Sequence, residues 1–285
     1  IFFLAIFSLL TILSISGCGA KGNDRLSSKD EAEIKFIRIC KDEYKWDVNT
    51  KLIGNTLWLY LPQEKDIFKF EANRFAKISR CTLGYLKGGF SDGKFFFEYQ
   101  VLPLPKSEED KGYTSNYTEQ SSKFMRNIFD AIYRVYFNAE EPPKFYVIVM
   151  ADITNGVEII YTIYNEDLKR GYNNAIASEE FYKRILRDTI GNLAIVNDKA
   201  GRHLTYKEIN FEQFLTEQIV QRIRIKFYGA DAKICNTPEE EIFKIFAYCF
   251  MTYEFNDYSQ VILEDLSSGY RAIKSRAELE NIKEF

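Results

Sequence analysis

The sequence predicts an α+β fold: an antiparallel sheet of meander and hairpins packed with several helices, the C-terminal third mainly helical. Three observations carry this. Between Trp46 and Leu102, β-rich runs alternate with glycine turns; residues 144–164 form two such runs around Asn155 and Gly156; and from Ser178 onward apolar residues recur at three- and four-residue spacing. With 46% hydrophobic and 28% charged residues over 285 positions, the chain has the composition of an ordered globular protein. One domain over 30–285 is expected, and a subdivision, if there is one, falls near 105–115. Aromatic residues reach 16% and are expected mainly to fill the core. The formal net charge of −3 lacks the clustered basic field that phosphate backbones require, so nucleic acid is not expected as a partner.

The chain opens on an uncharged apolar run, Ile1 to Gly17, and turns polar directly after Cys18. That run has the length of a signal-peptide apolar region, whereas a spanning helix takes about 20 apolar residues. Without an initiator Met or a basic leader, a few residues are expected to precede Ile1, and a membrane-spanning reading stays open. Ile15, Ser16, Gly17 and Cys18 resemble the lipobox of bacterial lipoprotein precursors: an aliphatic residue, two small ones, then cysteine. The resemblance covers the first eighteen residues and implies a signal peptide over 1–17, cleavage before Cys18, and lipid on its thiol and new amino terminus. Two or three acyl chains hold a protein stably where one holds it marginally. Gly19 stands where Asp often signals inner-membrane retention, so an outer membrane, facing the periplasm, is expected if the cell has two. Residues 18–29 read as a lipidated tether with a reach of roughly 20 Å.

The folded elements follow in order. Ser28 and Glu31 have the spacing of a capping box, and Ile34, Ile37, Cys40 and Tyr44 would share one face of a first helix. Leu57 to Leu61 read as a strand stopping at Pro62, and Lys94 to Leu102 as another; Gly54-Asn55 and Gly88 to Gly93 supply turns, which together predict the meander. After the charged Lys106–Gly112 loop, Phe124, Ile128, Ile132 and Tyr136 mark a helix that ends before Pro142 and Pro143. Asn155-Gly156 predicts a type I′ hairpin pairing Asp152 with Ile159. A helix from Ser178 through Leu186 to Gly191, a second from Asn210 to Gly229, a third capped by Thr237, Pro238 and Glu240, and a closing hairpin around Gly269 complete the reading.

Chemistry is sparse. The Gly88–Lys94 segment, GGFSDGK, has the spacing of a phosphate-binding loop, but Phe95 replaces the magnesium-binding Ser or Thr and the segment leads into a strand, so a hairpin turn is expected. His203 is the only histidine, which rules out a multi-histidine metal site and leaves any Ser-His or Cys-His pairing to this one residue in a polar stretch. No CxxC pair supports a thiolate zinc or redox centre, so neither metal nor cofactor is expected. Of five cysteines, Cys40, Cys81, Cys235 and Cys249 remain once Cys18 is assigned to lipid. They allow three complete pairings, of which the one joining Cys235 to Cys249 is disfavoured by the rise of the intervening helix, and Cys40 and Cys249 read as buried thiols.

Asp152 is predicted on the apolar face of its hairpin, where a carboxyl either finds a partner or has its pKa raised; a place at the fraying hairpin end is the simpler expectation. The functional expectation is therefore a membrane-anchored, non-enzymatic envelope lipoprotein that binds an envelope component or a ligand. The alternative is a periplasmic carboxylate-dependent hydrolase using Asp152 and Glu158, which the hairpin alternation places on opposite faces.

Overall fold

The computed structural model describes residues 29–73, 81–103, 112–228, 230 and 232–282. The expected signal peptide with Ile15, Ser16 and Gly17, the lipidation residue Cys18, nearly all of the tether, Ser28 of the capping box, residues 106–111 of the charged loop and Gly229 lie outside the described residues.

In chain order, α1 (Lys29–Arg38) runs into a π-helical turn (Ile39–Glu43), then β1 (Asn49–Ile53), β2 (Thr56–Gln63), β3 (Phe68–Asn73), β4 (Cys81–Ser91), β5 (Lys94–Pro103), β6 (Gly112–Tyr117) and α2 (Glu119–Tyr136). β7 (Phe145–Asp152), β8 (Val157–Tyr164), α3 (Asn165–Tyr172), α4 (Ser178–Arg184) and β9 (Leu186–Gly191) follow. After a 3-10 turn (Leu193–Ile195) come α5 (Phe211–Phe227), α6 (Ala232–Asn236), α7 (Pro238–Thr252), β10 (Gln260–Asp265), β11 (Arg271–Ser275) and α8 (Arg276–Glu280). The fold is α+β, its strand pairs mostly antiparallel, in sheets ordered β1-β2-β7-β8-β9, β11-β10-β5-β4 and β3-β6.

The expected meander is corrected by two parallel pairings. β2 lies parallel to β7, from Thr56 opposite Phe145 to Gln63 opposite Asp152, and β5 lies parallel to β10. The hairpins β1–β2 and β4–β5 therefore belong to different sheets, and β3 pairs with β6. β7 is buried at every position and β2 along most of its length; such continuous apolar runs are what a strand covered on both faces requires. β2 also continues past Pro62 to Gln63, because β1 reaches only to the level of Tyr60 and the missing N–H leaves no gap in its ladder.

One face of the five-stranded sheet, with Leu57, Leu59, Tyr146, Ile148, Ile159 and Ile163, packs under α1 and α2. The contact face of α1 is Ala32 and Phe36, continued by Ile39 and Cys40, while Ile34 and Ile37 point outward, 58% and 37% exposed. Ala32, Phe36, Ile39 and Cys40 make an i, i+4, i+7, i+8 stripe, about 160° round the helix from Ile34, so the buried face is built on Phe36 rather than on the two isoleucines. The four-stranded sheet packs Phe95, Phe97, Val261 and Leu263 against α5 and α7. α5 joins the two units: Phe214 belongs to the core under the five-stranded sheet, whereas Leu215, Ile219, Ile223 and Phe227 belong to the other.

Cys81 and Cys235 are bonded, with Cα atoms 5.9 Å apart, tying β4 to α6. Cys40 and Cys249 are free and buried, and burial pushes each thiol up to about 12. The glycine segment 88–94 contains a hairpin, as expected, but its turn is confined to two residues: Gly88 to Ser91 belong to β4 and Lys94 opens β5. Asp92 and Gly93, at φ 52° and 67°, are the two left-handed residues of a type I′ turn closed by Ser91 and Lys94. Gly88 carries no Cβ because the Phe97 ring lies across it, 2.3 Å from where that atom would sit.

The Asn155-Gly156 turn differs from its expectation. Gly156 has φ 70° while Asn155 does not adopt positive φ, and Asp152 pairs with Val157 across a four-residue loop, a register two residues from the predicted one. A shift of two preserves the face, so Asp152 still shares its side with Ile159 and Tyr161. The helix predicted through Gly191 ends at Arg184, and the segment from Leu186 becomes the edge strand β9. Two glutamines of α5 account for the stop: Gln218 donates to the Arg184 carbonyl, and Gln221 donates to those of Lys183 and Ile185 and accepts from the Arg187 N–H. They supply the partners that another helical turn would have given. Among the described residues, no helix is long and apolar enough to cross a membrane.

Candidate functional site

The second face of the five-stranded sheet, carrying Trp58, Tyr60, Val147 and Val149, is covered by the first turn of α5, with Phe214, and by irregular chain. Between β9 and α5, residues 192–210 run across it as a strap. Trp58 Nε1 donates to the Lys207 carbonyl at 2.8 Å, Tyr60 Oη to that of Asp198 at 2.5 Å, Asn49 Nδ2 to that of Lys199 at 2.9 Å, and the Ile209 N–H to Thr56 Oγ1 at 2.9 Å. The Asn49 bond is exposed; each of the other three satisfies a polar group that an irregular segment would otherwise leave at least partly buried and unpaired. Gly201, at φ 67°, lets the strap approach the Tyr60 ring, whose Cγ would lie 2.9 Å from a Cβ there.

His203 sits at the centre of the strap. Its Nδ1 is 2.7 Å from Asp198 Oδ2 and its Nε2 2.8 Å from Glu158 Oε2, with the three side chains only 9%, 10% and 4% exposed. Its own N–H also donates to Asp198 Oδ2 at 3.0 Å. Acceptors on both sides put a proton on each ring nitrogen. Burial works against the charged imidazole, but the hydrogen bonds and charges of Asp198 and Glu158 outweigh it and hold the pKa above its ordinary value. Burial likewise works against the Asp198 carboxylate, and the bonds from His203 and the Ala200 N–H outweigh that and hold its pKa low. Both ring nitrogens are thus committed to carboxyl groups of the chain itself. In this geometry His203 fastens the strap to β8.

Asp152 is 4% exposed rather than at a frayed, wet end. Oδ1 accepts from the Thr154 and Asn155 N–H groups at 3.1 and 2.9 Å, and Oδ2 accepts from Asn155 Nδ2 at 2.9 Å. It is the cap of the four-residue loop, and those donors replace the two-residue turn that the Asn-Gly pair alone would have favoured. Asp152 and Glu158 lie on opposite faces of the sheet, as the alternation predicted, because Glu158 pairs with Ala151. The structure therefore brings His203 to Glu158 and leaves Asp152 apart from both. Asp198, which sequence reasoning passed over, had one legible signal: an Asx-type residue two positions before Ala200, whose N–H it accepts at 3.1 Å.

A second buried polar cluster ties α3, α4, α5 and α7. Arg184 bridges Asp167 Oδ1 at 2.9 Å and Glu180 Oε1 at 2.8 Å; Arg222 and Tyr248 add contacts to Glu180 at 2.7 and 2.6 Å; Tyr253 donates to Asp167 at 2.9 Å. Among the described residues, no group of three or more His, Cys, Asp or Glu side chains could hold a metal ion.

Beside the strap a cleft of about 390 Å³ opens between the sheet and α5. That volume is in the range of small-molecule sites. Trp58, Val147, Ile160, Leu186 and Phe214 contribute its apolar lining. Its polar lining includes Lys207 from the strap, Asp188 from β9, and Glu217 and Arg224 from α5. Lys207, Glu217 and Arg224 form no ion pair with any described residue, although charges of both signs line the same cleft. The strap and the helix are sequence neighbours, but the floor comes from strands up to 150 positions away, so the cleft had no sequence signature.

Comparison with known proteins found no matching family model, and no significant match to the chain among curated proteins or solved structures.

Proposed function

We propose that this is a lipid-anchored lipoprotein of the bacterial cell envelope, tethered through Cys18, that acts by binding rather than by catalysis and uses the cleft beside α5 as its ligand site. The observation that carries the anchor is the run Ile15, Ser16, Gly17, Cys18 closing an uncharged apolar segment. The Cys81–Cys235 bond supports export, since structural disulfides persist in oxidising compartments. The binding role is supported by the cleft's volume and lining and by the commitment of His203 to structural partners. Placement on an outer membrane facing the periplasm follows from Gly19 for a cell with two membranes, and an envelope protein near the membrane surface is the other class of partner.

The anchor is tested by expressing the chain behind a start codon in a bacterial host and measuring the mass of its N-terminal peptide. An acylated peptide beginning at Cys18, lost in Cys18→Ala, is expected. An uncut apolar segment, or an unmodified terminus at another residue, overturns the anchor.

A further inference from the structure

We infer that the cleft takes a short apolar peptide with both termini free, two or three residues long. This rests on the reading of the cleft as a ligand site and adds what enters it. The lining has an apolar surface from Trp58, Val147, Ile160 and Leu186, together with uncommitted charges of both signs. A purely anionic amphiphile would suit Lys207 and Arg224 but set its charge among Asp188 and Glu217; a cationic one would do the reverse. The fifth charged residue of the lining, Arg187, holds its guanidinium over the Tyr117 ring, 5.1 Å from the centroid. A neutral apolar molecule would cover the other four without replacing the water that solvates them, which costs affinity. A ligand with one charge of each sign and an apolar body complements the whole lining.

Length follows from α5. Glu217 and Arg224 both line the cleft and stand seven positions apart, a rise of about 10 Å along the helix. An extended chain advances about 3.3–3.6 Å per residue, so two or three residues span that interval with the ammonium at Glu217 and the carboxylate at Arg224. The apolar side chains then lie on the strand floor. A cleft of about 390 Å³ holds a peptide of this size and excludes a folded partner from the floor.

The experiment is calorimetric titration of the full chain with the tripeptide Leu-Ala-Leu, its N-acetylated and C-amidated forms, and octanoate. The free tripeptide is expected to bind, and each blocked form to bind about tenfold more weakly, as for loss of one charge-assisted contact. Glu217→Gln is expected to weaken the free tripeptide to the level of the acetylated one and not to weaken the acetylated one further; Arg224→Gln is expected to do the same for the amidated form. Both residues lie on α5 outside the core, and thermal unfolding of each variant checks that the fold is kept. Blocked and free peptides binding equally, or octanoate binding while the tripeptide does not, overturns the peptide and leaves the cleft a ligand site. If neither the peptides nor octanoate bind, the ligand-site reading falls with the peptide.

Discussion

Replacing His203 by Ala removes the only cation between two buried carboxyl groups. Glu158 and Asp198 are 4% and 10% exposed and lose, respectively, contacts of 2.8 and 2.7 Å. Two charge-assisted hydrogen bonds disappear, and two carboxyl groups are left facing each other away from water. Removing one partner of a buried ionic pair costs about 3–5 kcal/mol. At about 2–4 °C per kcal/mol for a domain of this size, the midpoint should fall by roughly 6–20 °C. The pH dependence carries more information. The pKa of His203 is raised in the fold, so its contribution is complete below the unfolded value of about 6.5 and is lost as pH rises through the higher folded value. The pKa of Asp198 is lowered, so its contribution is complete above about 3.9 and is lost as pH falls through the lower folded value. The gap between wild type and His203→Ala should therefore be widest near pH 5–6 and narrow toward pH 9. Thermal unfolding followed by circular dichroism at pH 5, 7 and 9 measures it. A variant within about 2 °C of wild type at pH 5, or a gap that does not change with pH, would refute the assignment of a protonated His203 as the strap's fastening.

Three other perturbations test separate parts of the structure. Reduction, or Cys81→Ser with Cys235→Ser, reopens a loop of 154 positions and should cost about 4–5 kcal/mol, read as a fall in the denaturant midpoint with a steeper slope, because the uncrosslinked denatured chain exposes more surface. Arg184→Met strips the guanidinium from Asp167, whose side chain is 2% exposed and whose pKa burial already raises against the pull of Arg184. The expected loss is about 3–5 kcal/mol at pH 8. Because a carboxyl with a raised folded pKa favours the fold below its unfolded value and loses that advantage as pH rises, the variant should regain part of its stability at pH 5. Gly88→Val drives a side chain into the Phe97 ring and should cost about 1–3 kcal/mol by strain, seen in thermal unfolding, whereas Gly89→Val, with open space at its Cβ, should cost less.

Where local chemistry decides, the sequence could be read. Asn210 caps α5 by accepting from the Gln213 N–H, the α2 face Phe124, Ile128, Ile132 and Tyr136 is buried, and Gly269 turns the closing hairpin. Each depends on a few neighbouring residues and a fixed period. The failures share a different cause. The parallel partners of β2 and β5 are β7 and β10, and nothing in an apolar run names the distant strand beside it. β9 is a strand because Gln218 and Gln221 arrive from α5 to end the preceding helix.

The same division holds for the candidate site. The α+β class, a hairpin within Gly88 to Lys94, the opposite faces of Asp152 and Glu158, and the want of histidines for a multi-histidine centre were legible before folding, since these follow from composition, turn chemistry and a two-residue period. Long-range packing alone brought Glu158 and Asp198 together across the single histidine, joined Cys81 to Cys235, and left a charged, apolar-floored cleft between the sheet, α5 and the strap. Those contacts join positions 5 to 154 residues apart. The strap's contacts exist because it covers the apolar second face of the five-stranded sheet and its polar groups must bond to whatever that face presents, and the disulfide exists because packing brings β4 beside α6.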